Sequence, residues 1–184
     1  MFQRNKPLLI MRNSNSNNYF FLLISFGLVF SYCKHGENDP EPPEKIYFSG
    51  YTSLDETGAS TGFADPSDWL LTDSWTALES GLFPSQSKPL CGSTSGLEVY
   101  PIAPNPGIDQ FYLGFQSDSS AVWTFKLVDE DFNVVIALDS FAASQGYNAW
   151  IFNISDLAAD TFRLYYQVER PNCIGRGHGD IIKQ

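Results

Sequence analysis

Apolar and polar side chains alternate with a period of two through most of the second half of the chain, the signature of half-buried strands. The clearest case is 121–128. Trp123, Phe125 and Leu127 share one face there, and Thr124 and Lys126 share the other. Asp129, Glu130, Asp131 and Asn133 supply turn residues, and 134–138 is an apolar return, so 121–138 reads as a β-hairpin. The same alternation predicts strands at 45–51, 97–100, 110–115, 150–152 and 162–168, with a short last one at 181–182. Residues 52–96 are irregular. Asp65 to Asp68 form a turn in which Ser67 or Asp68 can cap a short helical turn, and Gly81, Pro84, Pro89 and Gly92 forbid a long helix. No segment offers a crossover helix, so parallel βαβ units are excluded. The prediction is an all-β fold, an antiparallel β-sandwich of immunoglobulin-like or jelly-roll-like type. Its heart is the 121–138 hairpin, with Trp123, Phe125 and Leu127 turned inward against the 162–168 strand and Lys126 reaching water.

The N-terminal pattern is different. Arg4, Lys6 and Arg12 precede a short, mostly apolar run at 19–30, which is too short to span a bilayer and suits a secretory signal. Two processing sites compete. One is a cut before Tyr32; the other makes Cys33 the acylated first residue of the mature chain. Phe30-Ser31-Tyr32-Cys33 resembles a bacterial lipoprotein box, with Phe30 and Tyr32 where the usual box has Leu and a small residue. Residues 34–44 hold four acids and three prolines and read as an extended acidic tether. The organisation expected is therefore 1–32 signal, 33–44 tether and 45–184 a single domain.

The cysteine count fits this division. The chain has three, Cys33, Cys91 and Cys173, and an exported protein tolerates an unpaired thiol poorly. Acylation of Cys33 leaves Cys91 and Cys173 to form a disulfide. Lipid chains would then hold the protein to a membrane without a spanning helix.

Composition narrows the class. The formal net charge is -10, and residues 46–184 alone carry 17 acids against 6 bases. Such an acidic body lacks the basic face that nucleic-acid binding requires. Aromatic residues make up 15% of the chain, enough for a folded core and for exposed rings besides.

Val99-Tyr100-Pro101 followed by Pro104-Asn105-Pro106, then 153–157 and 161–165, resemble the opening and closing motifs of the β-sandwich sorting domains at the C-termini of secreted Bacteroidota proteins. Here Ile102-Ala103 divides the opening motif, and Asp160-Thr161 stands where the pattern has a glycine. The acidic tether likewise resembles those of surface-exposed Bacteroidota lipoproteins. The resemblance implies a sandwich fold and cell-surface or outer-membrane placement, with recognition by an export machinery as the family role.

Catalytic chemistry is sparse. His35 lies in the tether, and His178 in a glycine-rich stretch read as flexible and exposed, where a lone imidazole is expected to be neither base nor metal ligand. Gly175, Gly177 and Gly179 lack the Lys-Ser or Lys-Thr of a phosphate loop. Asp129, Glu130 and Asp131 carry oxygen donors, with Asp118 or Asp139 in reach across a sheet, but read as a solvated turn rather than a calcium site. No metal, cofactor or catalytic residue is assigned. Trp69, Trp75, Tyr112, Tyr147, Trp150 and Tyr166 are the candidates for an aromatic surface that binds a protein, peptide or glycan. The expected function is thus a non-catalytic, lipid-anchored binding protein of the envelope or cell surface. The alternatives are a small extracytoplasmic hydrolase with a metal or acid site and a structural or sorting module.

Overall fold

The computed structural model describes residues 44–72, 74–92 and 96–184. The segment read as a signal, Cys33 and the expected tether up to 43 lie outside the described residues. The predicted alternation folds into two antiparallel sheets packed face to face, so the fold is an antiparallel β-sandwich. The elements are β1 (Leu70–Leu71), a helix α1 (Ala77–Gly81), β2 (Leu97–Val99), β3 (Gln110–Ser117), β4 (Ala121–Val128), β5 (Val134–Ala143), β6 (Gly146–Asn153), β7 (Asp160–Glu169) and β8 (Ile174–Lys183). One sheet runs β1-β8-β7-β4-β5 and the other β2-β3-β6.

The core between the sheets is aromatic. Phe111, Leu113 and Phe115 of β3 and Phe152 of β6 face Trp123, Phe125 and Leu127 of β4 and Leu164, Tyr166 and Val168 of β7, all buried. The Trp123 ring stands 4.1 Å from that of Phe115 in the opposite sheet. Trp123 also meets β7 as expected, tilted against Tyr166 at 6.4 Å, but its closest ring partner comes from across the sandwich. Lys126 leaves the core face and pairs with Asp139 at 2.8 Å. The 121–138 hairpin forms, and its return strand runs on to Ala143. Of its two strands, β4 is internal and β5 lies at the sheet edge.

The final strand is longer than the short 181–182 segment expected, because β8 begins at Ile174 and includes the glycines. Its period-two pattern explains their spacing. Gly175, Gly177 and Gly179 turn inward, where a Cβ would collide with Leu97, with the Leu70 backbone and Tyr166, and with the Trp69 indole, respectively. Arg176, His178 and Asp180 therefore project from the opposite face. Trp69 reaches Gly179 from a left-handed backbone conformation, φ 62°, held by its own N–H donating to the His178 carbonyl at 2.7 Å.

That opposite face of the five-stranded sheet is covered as well. Residues 45–51 form no ladder strand but an extended arm with the expected alternation: Ile46 is buried and Tyr47 is 85% exposed. Ile46, Phe48, Trp75, Leu82 and Phe83 pack with Val128 and Tyr165 into a second apolar cluster. The helical turn that closes this cap is α1. Thr76 Oγ1 accepts from the Glu79 N–H and Glu79 Oε2 from the Thr76 N–H, a reciprocal capping box. The sequence places a helical turn at 67–68 instead; there Asp65 closes a turn by accepting from Ser67 N and Oγ at 2.8 and 2.6 Å.

Cys91 and Cys173 form the disulfide expected, with Cα atoms 5.0 Å apart. The acidic turn at 129–133 is satisfied internally and by Lys45. Asp129 accepts from the N–H groups of Asp131 and Asn133, and Lys45 bridges Glu130 and Asp131 at 2.9 and 3.0 Å. Asp118 pairs with Arg170 and Asp139 with Lys126, so neither converges on that turn. Among the described residues no helix is long and apolar enough to cross a membrane.

Candidate functional site

Two places carry more chemistry than the fold alone requires. The first is a polar cluster beneath the cap, built by β8, β7 and the 65–68 turn. The alternation of β8 aims His178 and Asp180 outward, and antiparallel pairing puts Arg163 of β7 directly opposite Asp180. Arg163 grips both carboxylate oxygens of Asp180, Nε to Oδ1 at 2.6 Å and Nη2 to Oδ2 at 2.8 Å. Asp68 enters from the turn above. Its Oδ2 accepts from the Thr52 N–H at 3.0 Å and its Oδ1 from the Asp180 N–H at 3.2 Å. Asp68, His178 and Asp180 present donor atoms within 4.8 Å of one another.

Burial sets the electrostatics of this cluster. Loss of water, then the nearby Asp180 charge, pushes Asp68 up to about 7. Burial, followed by the Arg163 charge, moves His178 down from its ordinary value, so the ring is neutral at physiological pH. Its Nδ1 is buried and has no hydrogen-bond partner among the described residues. Asp65, by contrast, is held below the usual carboxylate range by its Ser67 hydrogen bonds. Chemically, the cluster offers a neutral imidazole nitrogen beside a carboxyl group poised near neutrality, the ingredients of acid–base work or of cation binding. Two features restrain that use. Arg163 occupies Asp180 with a positive charge of its own, and Asp68 and Asp180 are only 6% and 1% exposed.

Asn105 ties the same region together. It is fully buried, its Nδ2 donates to the carbonyls of Thr52 (3.1 Å) and Asp180 (2.8 Å), and its Oδ1 accepts from the Ile182 N–H at 2.9 Å. With its backbone paired to Leu54 in both directions, Asn105 joins the arm to β8.

The second place is the outer face of the three-stranded sheet. Glu98, Tyr112, Gly114, Gln116, Tyr147, Ala149 and Ile151 alternate onto it. Tyr112 is 47% and Tyr147 66% exposed. Tyr100, just beyond β2, approaches Tyr147 at 6.1 Å, and its hydroxyl donates to Glu98 Oε2 at 2.8 Å. The 54–58 turn forms a side wall, and together they enclose an open cleft of about 400 Å³ that includes Glu56, Thr57 and Pro101.

The six predicted aromatic residues divide between these surroundings. Tyr112 and Tyr147 are on the exposed face. Trp69 and Tyr166 are buried between the sheets, a correction to their place on a surface: Gly179 and Gly177 of β8 leave the room that the two rings occupy. Trp75 is half-buried in the cap, stacked on Phe83 at 5.1 Å with the Arg176 guanidinium over its ring. Trp150 is half-buried at the sandwich margin, 4.5 Å from Phe141. Tyr165 and Tyr166 point to opposite faces, and neither is exposed, because the arm and α1 cover Tyr165 and its hydroxyl donates to Glu79 at 2.9 Å.

His178 also departs from its expected setting in a loose tail. It is a mid-strand residue in edge contact with the Tyr165 ring at 5.6 Å. The signal that would have placed it was the strict alternation of glycine with Arg176, His178 and Asp180. For Asn105 and Asp68 the sequence contains no such signal, since their partners lie across the fold. Comparison of the chain with protein families, with curated proteins and with solved structures finds no match.

Proposed function

We propose that this protein is an exported, lipid-anchored, non-catalytic binding protein whose ligand surface is the outer face of the three-stranded sheet. The observation that carries the reading is the Tyr112–Tyr147 face: large rings held in water over a floor of Gly114 and Ala149, on a rigid paired sheet. Folded proteins expose single apolar side chains freely, but a contiguous aromatic patch around a cleft marks a recognition surface. Anchoring through Cys33 rests on the apolar run before it and on the pairing of the other two cysteines with each other.

Hydroxyl-radical footprinting tests the binding face whatever the ligand is. In the native envelope, Tyr112 and Tyr147 are expected to be protected relative to the purified protein, while Tyr47 on the arm stays reactive. Equal reactivity of all three in both settings would contradict the proposal. Intact mass measurement of membrane-extracted protein tests the anchor: the expected chain starts at Cys33 with acyl mass, and an unacylated chain starting at Tyr32 would refute it.

A second reading, the small hydrolase with a metal or acid site, is favoured by one observation: the unpartnered Nδ1 of His178 beside Asp68 and Asp180. It ranks second because Arg163 holds Asp180 and both carboxylates are buried. Thermal unfolding with and without zinc or manganese separates the readings. A metal-dependent rise in melting temperature that His178→Ala abolishes would favour the second, and no rise the first.

A further inference from the structure

The exposed face has a geometry that selects among ligands, and this inference rests on the binding-face reading above. A glycine in the middle of an eight-residue strand costs stability. At Gly114 the reason is visible. A Cβ there would stand 2.7 Å from Tyr147 Oη, 3.2 Å from its Cε2 and 3.3 Å from its Cζ. The hydroxyl edge of the Tyr147 side chain therefore rests in the trough that Gly114 leaves on the strand, and the residue stays 66% exposed.

We infer that this trough is a stacking subsite for a neutral glycan, a pyranose ring lying on the open face of Tyr147 with its hydroxyls bonded by the polar groups around it. Three observations choose this occupant. First, an aromatic face carries negative quadrupole charge, and the axial C–H groups of a pyranose present a flat, weakly positive surface to it. Second, hydroxyl partners ring the platform: Glu98, Gln116 and Tyr100 at one end, linked through the Tyr100 hydroxyl, and Glu56 and Thr57 on the side wall. Third, among the described residues no Lys or Arg lines the cleft while Glu56 does, which opposes phosphate, sulfate and uronic acid ligands. Strand addition by an extended peptide would use the outer edges of β2 and β6 rather than this face, because the backbone groups of β3 are engaged by those two strands.

The test is affinity electrophoresis of the full-length mature protein in gels containing laminarin, mannan, xyloglucan or, as an anionic control, polygalacturonate. At least one neutral polysaccharide is expected to retard the protein, and polygalacturonate is not. Tyr147→Ala should weaken that retardation at least about tenfold, as loss of a central aromatic contact does. Gly114→Val, which lifts the ring off the strand, should weaken it similarly, and Tyr47→Ala should leave it unchanged. Thermal melts of each variant check folding, and Tyr147→Ala, at an exposed site, keeps the test open if Gly114→Val melts early. Retardation undiminished in Tyr147→Ala would overturn the subsite. If no neutral polysaccharide retards the protein yet Tyr147 is protected in the native envelope, the glycan assignment falls and the binding face stands. If neither is seen, both fall.

Discussion

Replacing Trp123 probes the packing on which the sandwich rests. Its ring is fully buried and touches Phe115 across the sandwich at 4.1 Å, Phe125 along its own strand at 5.7 Å and Tyr166 on β7 at 6.4 Å. Alanine removes the whole indole from a site closed by two hydrogen-bonded sheets, which cannot collapse to fill it. The expected cost is about 3–5 kcal/mol. Total stability of a domain is about 5–15 kcal/mol, so the loss is a large fraction of it. The melting temperature should fall by about 10–20 °C for a domain of this size. The indole N–H is buried without a partner, so part of the burial gain is already offset. Trp123→Phe removes that N–H while keeping most of the ring, and its cost should stay within about 1.5 kcal/mol. Urea unfolding of the three proteins, read by circular dichroism with a common slope, measures both differences. An unchanged midpoint for Trp123→Ala would refute the core assignment. Equal costs for Phe and Ala would show that the indole nitrogen, not ring volume, holds the site.

Three further outcomes follow from the same structure. Replacing Cys91 and Cys173 together by serine frees a loop of 82 positions and should cost about 4 kcal/mol in denaturant unfolding; a cost near zero would contradict the loop-entropy account. Arg163→Met strands the Asp180 carboxylate, 1% exposed, without its partner, and should destabilise by about 3–5 kcal/mol in the same assay, whereas Lys45→Met at an exposed pair should leave the midpoint nearly unchanged. Asp68 binds its proton more tightly folded than unfolded, so its contribution to stability is full below about pH 4 and is lost as pH rises through about 7. The stability of the native protein relative to Asp68→Asn should therefore shrink from pH 5 to pH 7.5; a growing gap would reverse the sign of the argument.

The fold class and the principal hairpin were legible because β-strand alternation is a local property. Trp123, Phe125 and Leu127 declare their face within eight residues, and Ile46 and Phe48 do so even though their segment docks as an arm rather than pairing as a strand. The disulfide was legible from the cysteine count. What the sequence hid was long-range. The cover over Tyr165 was not legible, because its helix needs the Thr76–Glu79 capping box, four positions of weak pattern in an irregular stretch. Trp69 looked like a surface ring because the slot that receives it is made by glycines more than one hundred residues later. Gly175, Gly177 and Gly179 looked like a loose tail because a glycine strand has no apolar side chains to reveal its period. The polar cluster was invisible because it is assembled from three segments: Asp68 from the 65–68 turn, Arg163 from β7, and His178 with Asp180 from β8. Of the binding candidates, Tyr112 alternates out of a strand whose inward residues are strongly apolar, so its exposure followed from local pattern; Tyr147 lies upstream of the 150–152 strand the sequence shows, in the longer β6.

Amide chemical-shift mapping tests the central claim most directly. Isotope-labelled mature protein is titrated with a neutral oligosaccharide from whichever polysaccharide retards it, or with the laminarin, mannan and xyloglucan fragments in turn. The account predicts shifts concentrated at Tyr112, Gly114, Tyr147, Ala149 and the 54–58 turn, with His178 and Asp180 unmoved. Shifts centred on His178 and Asp180, or none on the Gly114–Tyr147 platform with any of the three, would contradict it.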